Sequence, residues 1–140
     1  MDHHIKKAGL DDRLWVDSAG TMAYHTGEEP DPRAQSIAEQ RGYALSNLRA
    51  RLLEPEDFRG FDLILGMDKG HMRVMRRMMS GIPGTLHKAE LRLLLDYTTD
   101  HKGKDVPDPY YGGREAFEHA LDLIELGVEG LLANLRSKVP

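Results

Sequence analysis

Residues 61–79 read Phe61-Asp62-Leu63-Ile64-Leu65-Gly66-Met67-Asp68-Lys69-Gly70-His71-Met72-Arg73-Val74-Met75-Arg76-Arg77-Met78-Met79. The segment Phe61–Met67 is apolar in a continuous rather than alternating way, the pattern of a short strand covered on both faces. After Asp68 the period changes. Met72, Met75 and Met79 recur at i, i+3 and i+7, which predicts a helix over 68–79 with one buried stripe. Gly81, Pro83 and Gly84 break that helix. Its Lys69, Arg73, Arg76 and Arg77 read as a solvated face over a methionine-packed core, with phosphate contact as the alternative.

The same alternation extends in both directions. Downstream, Leu91–Leu95 reads as another strand, and Glu115 to about Arg136 as a long amphipathic helix. The stripe of that helix is Phe117, Ala120, Leu121, Ile124, Val128, Leu131, Leu132 and Leu135. Upstream, Pro55-Glu56-Asp57-Phe58 opens a short helix. Asp31 before Pro32 is an N-cap with proline in the first turn, starting a helix that runs to about Gly42. Leu14-Trp15-Val16 reads as a strand, and His3–Leu10 as a short helical piece stopped at Gly9. Strands alternating with helices imply an α/β fold built on a parallel sheet flanked by helices, three layers in all.

The 140 residues carry 19 Lys+Arg and 23 Asp+Glu, a net charge of -4, with 40% hydrophobic and 30% charged residues. That composition suits one soluble domain over 1–140, with a single core. The mild acidity argues against a nucleic-acid partner. No apolar run approaches the roughly 20 residues of a membrane span, and no signal peptide is recognisable, so a cytoplasmic location is expected. There is no cysteine. Disulfides, thiolate metal sites and cysteine nucleophiles are therefore excluded for these residues. Walker A, G-x-G-x-x-G, G-x-S-x-G and H-E-x-x-H motifs are also missing, and the histidines lack metal-ligand spacing.

One loop stands apart: Asp105-Val106-Pro107-Asp108-Pro109-Tyr110-Tyr111-Gly112-Gly113. Pro109 holds the backbone of Asp108 in the extended region. The glycines permit a tight turn or a close approach. Adjacent tyrosines can wall a carboxyl group off from water, which suits a proton donor. On these residues alone, a structural turn ahead of a helix is the simpler account.

Seven blocks settle the weighing. Asp17-Ser18-Ala19-Gly20-Thr21, Pro30-Asp31-Pro32-Arg33-Ala34, Arg49-Ala50-Arg51, Glu56-Asp57-Phe58, Phe61-Asp62-Leu63-Ile64-Leu65, Met67-Asp68 and Asp108-Pro109-Tyr110-Tyr111-Gly112 occur in the order and spacing of the low-molecular-weight protein tyrosine phosphatases. The chain resembles that family from about His4 to its C-terminus. The resemblance implies a four-stranded parallel sheet and hydrolysis of a phosphotyrosine protein or a small aryl phosphate through a phosphocysteine intermediate, without metal or other cofactor. It implies Asp108 as the proton donor to the leaving phenolate. Tyr24, Tyr110 and Tyr111 would line the slot for the substrate ring, and Ser18 would support the phosphate loop.

The family's nucleophile lies in a Cys-x5-Arg-Ser/Thr loop between the first strand and the first helix, and this sequence has no such loop. By ordinary element lengths roughly 20 residues would be missing. The expectation is an N-terminally truncated domain without its central strand, inactive as given. Unpaired sheet edges would be free for self-association. Leu48 stands where many members carry histidine, and His71 where many carry asparagine. The rival readings are a non-catalytic interaction module and, on the same fold, an arsenate reductase-like relative that would need cysteines.

Overall fold

The computed structural model describes residues 1–22, 27–45, 48–110 and 112–138. Helix α1 is Asp2–Lys7, α2 Pro32–Gln40, α3 Asp57–Gly60, and strand β1 Leu63–Gly66. Helix α4, Lys69–Ser80, follows, then strand β2, Glu90–Leu93, and helix α5, Arg114–Arg136. Short 3-10 turns occupy Gly84–Leu86 and Leu94–Tyr97.

β1 and β2 pair in parallel, with Leu63 opposite Glu90, Ile64 opposite Leu91, Leu65 opposite Arg92 and Gly66 opposite Leu93. Alternation across the pleat builds the layers. Ile64, Leu91 and Leu93 pack with Met72 and Met75 of α4 and with Phe58 of α3. Leu65 faces the other way, toward Ile5 of α1 and Val128 and Leu132 of α5. A parallel sheet thus lies between helices on both faces, which is the arrangement the alternating pattern implies. No described helix is long and apolar enough to cross a membrane.

Local chemistry sets the helix ends. The Asp31 carboxylate accepts the Arg33 N–H at 2.8 Å, capping α2 behind Pro32. The Asp68 carboxylate accepts the His71 N–H at 2.8 Å, capping α4. Gly9 and Gly42, at φ +70° and +87°, follow α1 and α2 in the left-handed conformation that ends helices.

One expected element does not form. Leu14-Trp15-Val16 has no strand pairing among the described residues, and Trp15 is 79% exposed. Its indole stacks on Phe61 at 5.3 Å rather than entering a core. An extended segment becomes a strand only beside a partner whose N–H and C=O groups it can use. The segment finds one only further on, at Gly20, which forms a parallel bridge with Leu52. There Gly20 N–H donates to Arg51 O and Leu53 N–H to Gly20 O, both at 2.8 Å. Strand β2 is also shorter than expected, because Leu94 and Leu95 turn into the 3-10 segment and bury against α5.

Candidate active site

The loop 105–113 is fixed at three points. At its start, Val106 N–H donates to Met67 O at 2.8 Å, hanging the loop on the end of β1. Asp105 accepts the Lys69 N–H at 3.0 Å, tying it to the first turn of α4. At its far end Arg33 of α2 donates to Tyr110 O at 2.9 Å and Gly112 O at 3.3 Å. The same guanidinium pairs with Asp31 at 2.9 Å and lies over the Phe117 ring, 4.7 Å from its centroid.

Between these anchors Asp108 is exposed, and one carboxylate oxygen accepts the Tyr110 N–H at 3.0 Å. Among the described residues no hydrogen bond is made to the other carboxylate oxygen. Gly112 closes the turn by donating to Pro109 O at 2.9 Å. A Cβ on Gly112 would come within 2.3 Å of the Ala116 Cβ, so the loop meets α5 at a contact only glycine allows. Gly113 occupies open space and serves as the α5 N-cap residue.

Asp108 sits on the rim of a cavity of about 340 Å³ lined mainly by apolar side chains. Ala34 and Ile37 of α2 and Phe117 of α5 form walls, and Asp68 and His71 supply polar groups beside Asp108. His71 Nδ1 accepts the Met67 N–H at 3.1 Å, which leaves Nε2 as the protonated nitrogen of the neutral ring. Among the described residues no cluster of His, Asp and Glu could hold a metal ion.

The site residues expected from the sequence fare unequally. Asp108 and Tyr110 share the anchored loop, with Tyr110 51% exposed. Ser18 is exposed and does not line the cavity. Its segment is held by Asp17, which accepts from Ser18 N–H at 2.8 Å and pairs with Arg51 at 3.1 Å. Arg51 in turn grips Asp57 through both oxygens at 3.0 and 3.1 Å. Burial pushes the Asp57 carboxyl up, but the Arg51 fork and the Glu54 N–H outweigh it and hold the group below the usual aspartate range. Tyr24 and Tyr111 lie outside the described residues.

Three participants went unread in the sequence: Arg33 as the loop's anchor, and Asp68 and His71 as the cavity's polar edge. Arg33 had a signal. A cation in the first turn of a helix opposes the macrodipole, so its place there needs another partner.

The whole chain, residues 1–140, matches the family model described as low molecular weight phosphotyrosine protein phosphatase. The chain belongs to this family. A low molecular weight protein-tyrosine-phosphatase of Streptomyces coelicolor is 40% identical over 137 residues, covering 96% of this chain and 81% of the relative. The crystal structure of YfkJ from Bacillus subtilis superposes with a TM-score of 0.85 at 34% identity, over 97% of this chain and 82% of that one. A protein tyrosine phosphatase from Entamoeba histolytica, with Hepes in its active site, gives 0.87 at 30% identity, over 98% and 85%. These matches establish the α/β fold and the phosphatase family, and they span nearly all of the chain.

Proposed function

We propose that this chain supplies the proton donor and the aromatic wall of a phosphotyrosine phosphatase whose nucleophile comes from a cysteine-bearing loop absent from these 140 residues. One observation carries the reading: Asp108 is held by anchors on α2, β1 and α4, beside a cavity, with one carboxylate oxygen taking no hydrogen bond among the described residues. Such rigidity suits a group that must meet a leaving oxygen at hydrogen-bond distance.

In this scheme a thiolate attacks the phosphorus of an aryl phosphate, and the aryl C–O–P bridge breaks at its O–P bond. Asp108 gives its proton to the departing phenolate. Water then attacks the phosphocysteine, Asp108 takes the water's proton, and phosphate and thiolate are released. Tyr110, with Tyr24 and Tyr111, flanks the substrate ring, and Ser18 supports the phosphate loop. The 140 residues act as one domain, completed by the family's first strand and its Cys-x5-Arg-Ser/Thr loop. With zero cysteines they contain no thiolate to begin the reaction.

The test compares the purified 140-residue chain with the same chain extended at its N-terminus by the family's strand and loop. Using phenyl phosphate, the chain alone stays at buffer background and the extended chain turns over. Asp108→Asn in the extended chain lowers kcat by about 10²–10⁴-fold, the range of a lost general acid. Turnover by the unextended chain, or a folded extended chain without activity, would overturn the proposal.

A further inference from the structure

Helix α4 carries Lys69, Arg73, Arg76 and Arg77 and no carboxylate in its 12 residues. At about 100° per residue the four cations fall within an arc of roughly 100°, and they span about 12 Å along the axis. All four are exposed, while Met72 and Met75 bury on the opposite side.

Most arginines elsewhere in this acidic chain are paired with carboxylates, Arg136 at the end of α5 being an exception among the described residues. Arg33, Arg41, Arg51, Arg59, Arg92 and Arg114 each face a carboxylate within 4.0 Å. Among the described residues Arg73, Arg76 and Arg77 have no such partner. Lys69 does reach Asp105, at 3.9 Å, and its N–H is bonded to the same residue. The ridge therefore begins at a residue bound to Asp105, three positions before Asp108.

We propose that this ridge docks an acidic, extended segment of the phosphoprotein substrate, next to the residue being dephosphorylated. The proposal rests on the phosphatase reading above. An extended chain rises about 3.3 Å per residue, so alternate carboxylates meet successive turns of the ridge. Two other anions fit it poorly. The ridge offers no aromatic platform for bases. Its helix has already spent its apolar face on the core and has none to lay in a bilayer.

The experiment measures fluorescence anisotropy of the 140-residue chain with two unphosphorylated labelled peptides, one Glu-rich and one with Gln at every Glu. At 20 mM salt the acidic peptide binds at least tenfold more tightly, and raising salt to 150 mM weakens it as screening shortens. The variant R73E/R76E/R77E loses at least tenfold, whereas R136E, far along α5, retains binding. R76E alone gives the same direction should the triple variant fail to show a native melt. Equal affinity for the two peptides, unchanged binding by R76E, or tighter binding to anionic vesicles or duplex DNA would overturn the proposal. Because neither peptide carries phosphate, this outcome is independent of the hydrolysis assay, and either reading can fail alone.

Discussion

Arg33 illustrates how much one side chain decides. Its guanidinium holds two carbonyls of the acid loop, the Asp31 cap and the Phe117 ring face together. Arg33→Ala frees the loop at one end and leaves the anchors at Val106 and Asp105 in place. The expected outcome is at least tenfold faster amide exchange at Tyr110 and Gly112 by hydrogen-exchange NMR, with Val106 unchanged. Equal protection at all three would show the loop to be held otherwise. Two further residues set the pH response. Burial, then the positive charges of the amino terminus and His3, hold the His4 imidazole below its usual range despite Glu129 and Glu125. The folded state thus disfavours the protonated ring. Stability is full above the unfolded histidine value of about 6.5 and falls as pH drops through it. Asp57, with its depressed carboxyl, adds a second loss below about pH 4, as acid protonates a group that folding prefers ionised. Urea unfolding at pH 7.5 and 5.5 therefore shows a lower midpoint at 5.5, and His4→Leu shrinks that difference; an unshrunken difference sinks the assignment. At this scale the sequence was only partly legible. Asp108 announced itself through its prolines and tyrosines, but Arg33 did not, because its partners lie 77 and 79 residues away.

Elements were more readable than their edges. Periodicity located α4 and α5 to within a residue or two, because each buries one full stripe. It misplaced Leu14–Val16 because a strand is a property of a pair, and sequence shows one member at a time. It also read through the glycines of α5. Gly127 and Gly130 let that helix press onto the Leu94–Tyr97 turn, and a Cβ at 130 would stand 1.9 Å from Tyr97 O. Propensity alone says that Gly130→Ala in a helix gains about 1 kcal/mol. The contact says otherwise, since backbone carbonyl cannot rotate aside as a side chain does. Overpacking of this kind costs roughly 1–3 kcal/mol. The contact wins, and the variant is expected to be net destabilised in chemical denaturation; a net gain would show that α5 can shift off the turn. Clasps at the other end support the same helix. Arg41, at the C-cap of α2, reaches Glu118, Asp122 and Glu125 of α5, and Tyr43 joins Glu125 at 2.9 Å. Together the glycine seam and this clasp hold α5 to both the sheet and α2, which keeps Phe117 beneath Arg33.

Over the whole molecule, the apolar cavity lies beside the end of β1, next to strand residues that are only half-buried. The walls come from α2 and α5, the floor from Met67 at the end of β1, and the rim from the Asp108 loop. β1 carries three apolar residues, Leu63, Ile64 and Leu65, and each stays half-buried rather than buried. Large exposed side chains, Trp15, Met22 and Leu52 among them, lie on segments flanking the Gly20–Leu52 bridge. Incomplete burial is incomplete stabilisation, at about 25 cal/mol for each Å² of apolar surface left in water. On the proposed function, a strand carrying the Cys-x5-Arg loop would be expected to cover part of this surface. The prediction is thermodynamic and needs no turnover. A synthetic peptide of that strand and loop, added to the 140-residue chain at 100 times its dissociation constant, stabilises the folded state by about 2.7 kcal/mol. For a chain of this size that raises Tm by on the order of 10 °C. A scrambled peptide of the same composition leaves Tm where it was. The Cys→Ser peptide stabilises as well as the native one, since the strand supplies the burial and the thiol only the chemistry. Scanning calorimetry reads all three. A Tm that rises equally with the scrambled peptide, or with neither, would mean that this surface is not the seat of that strand.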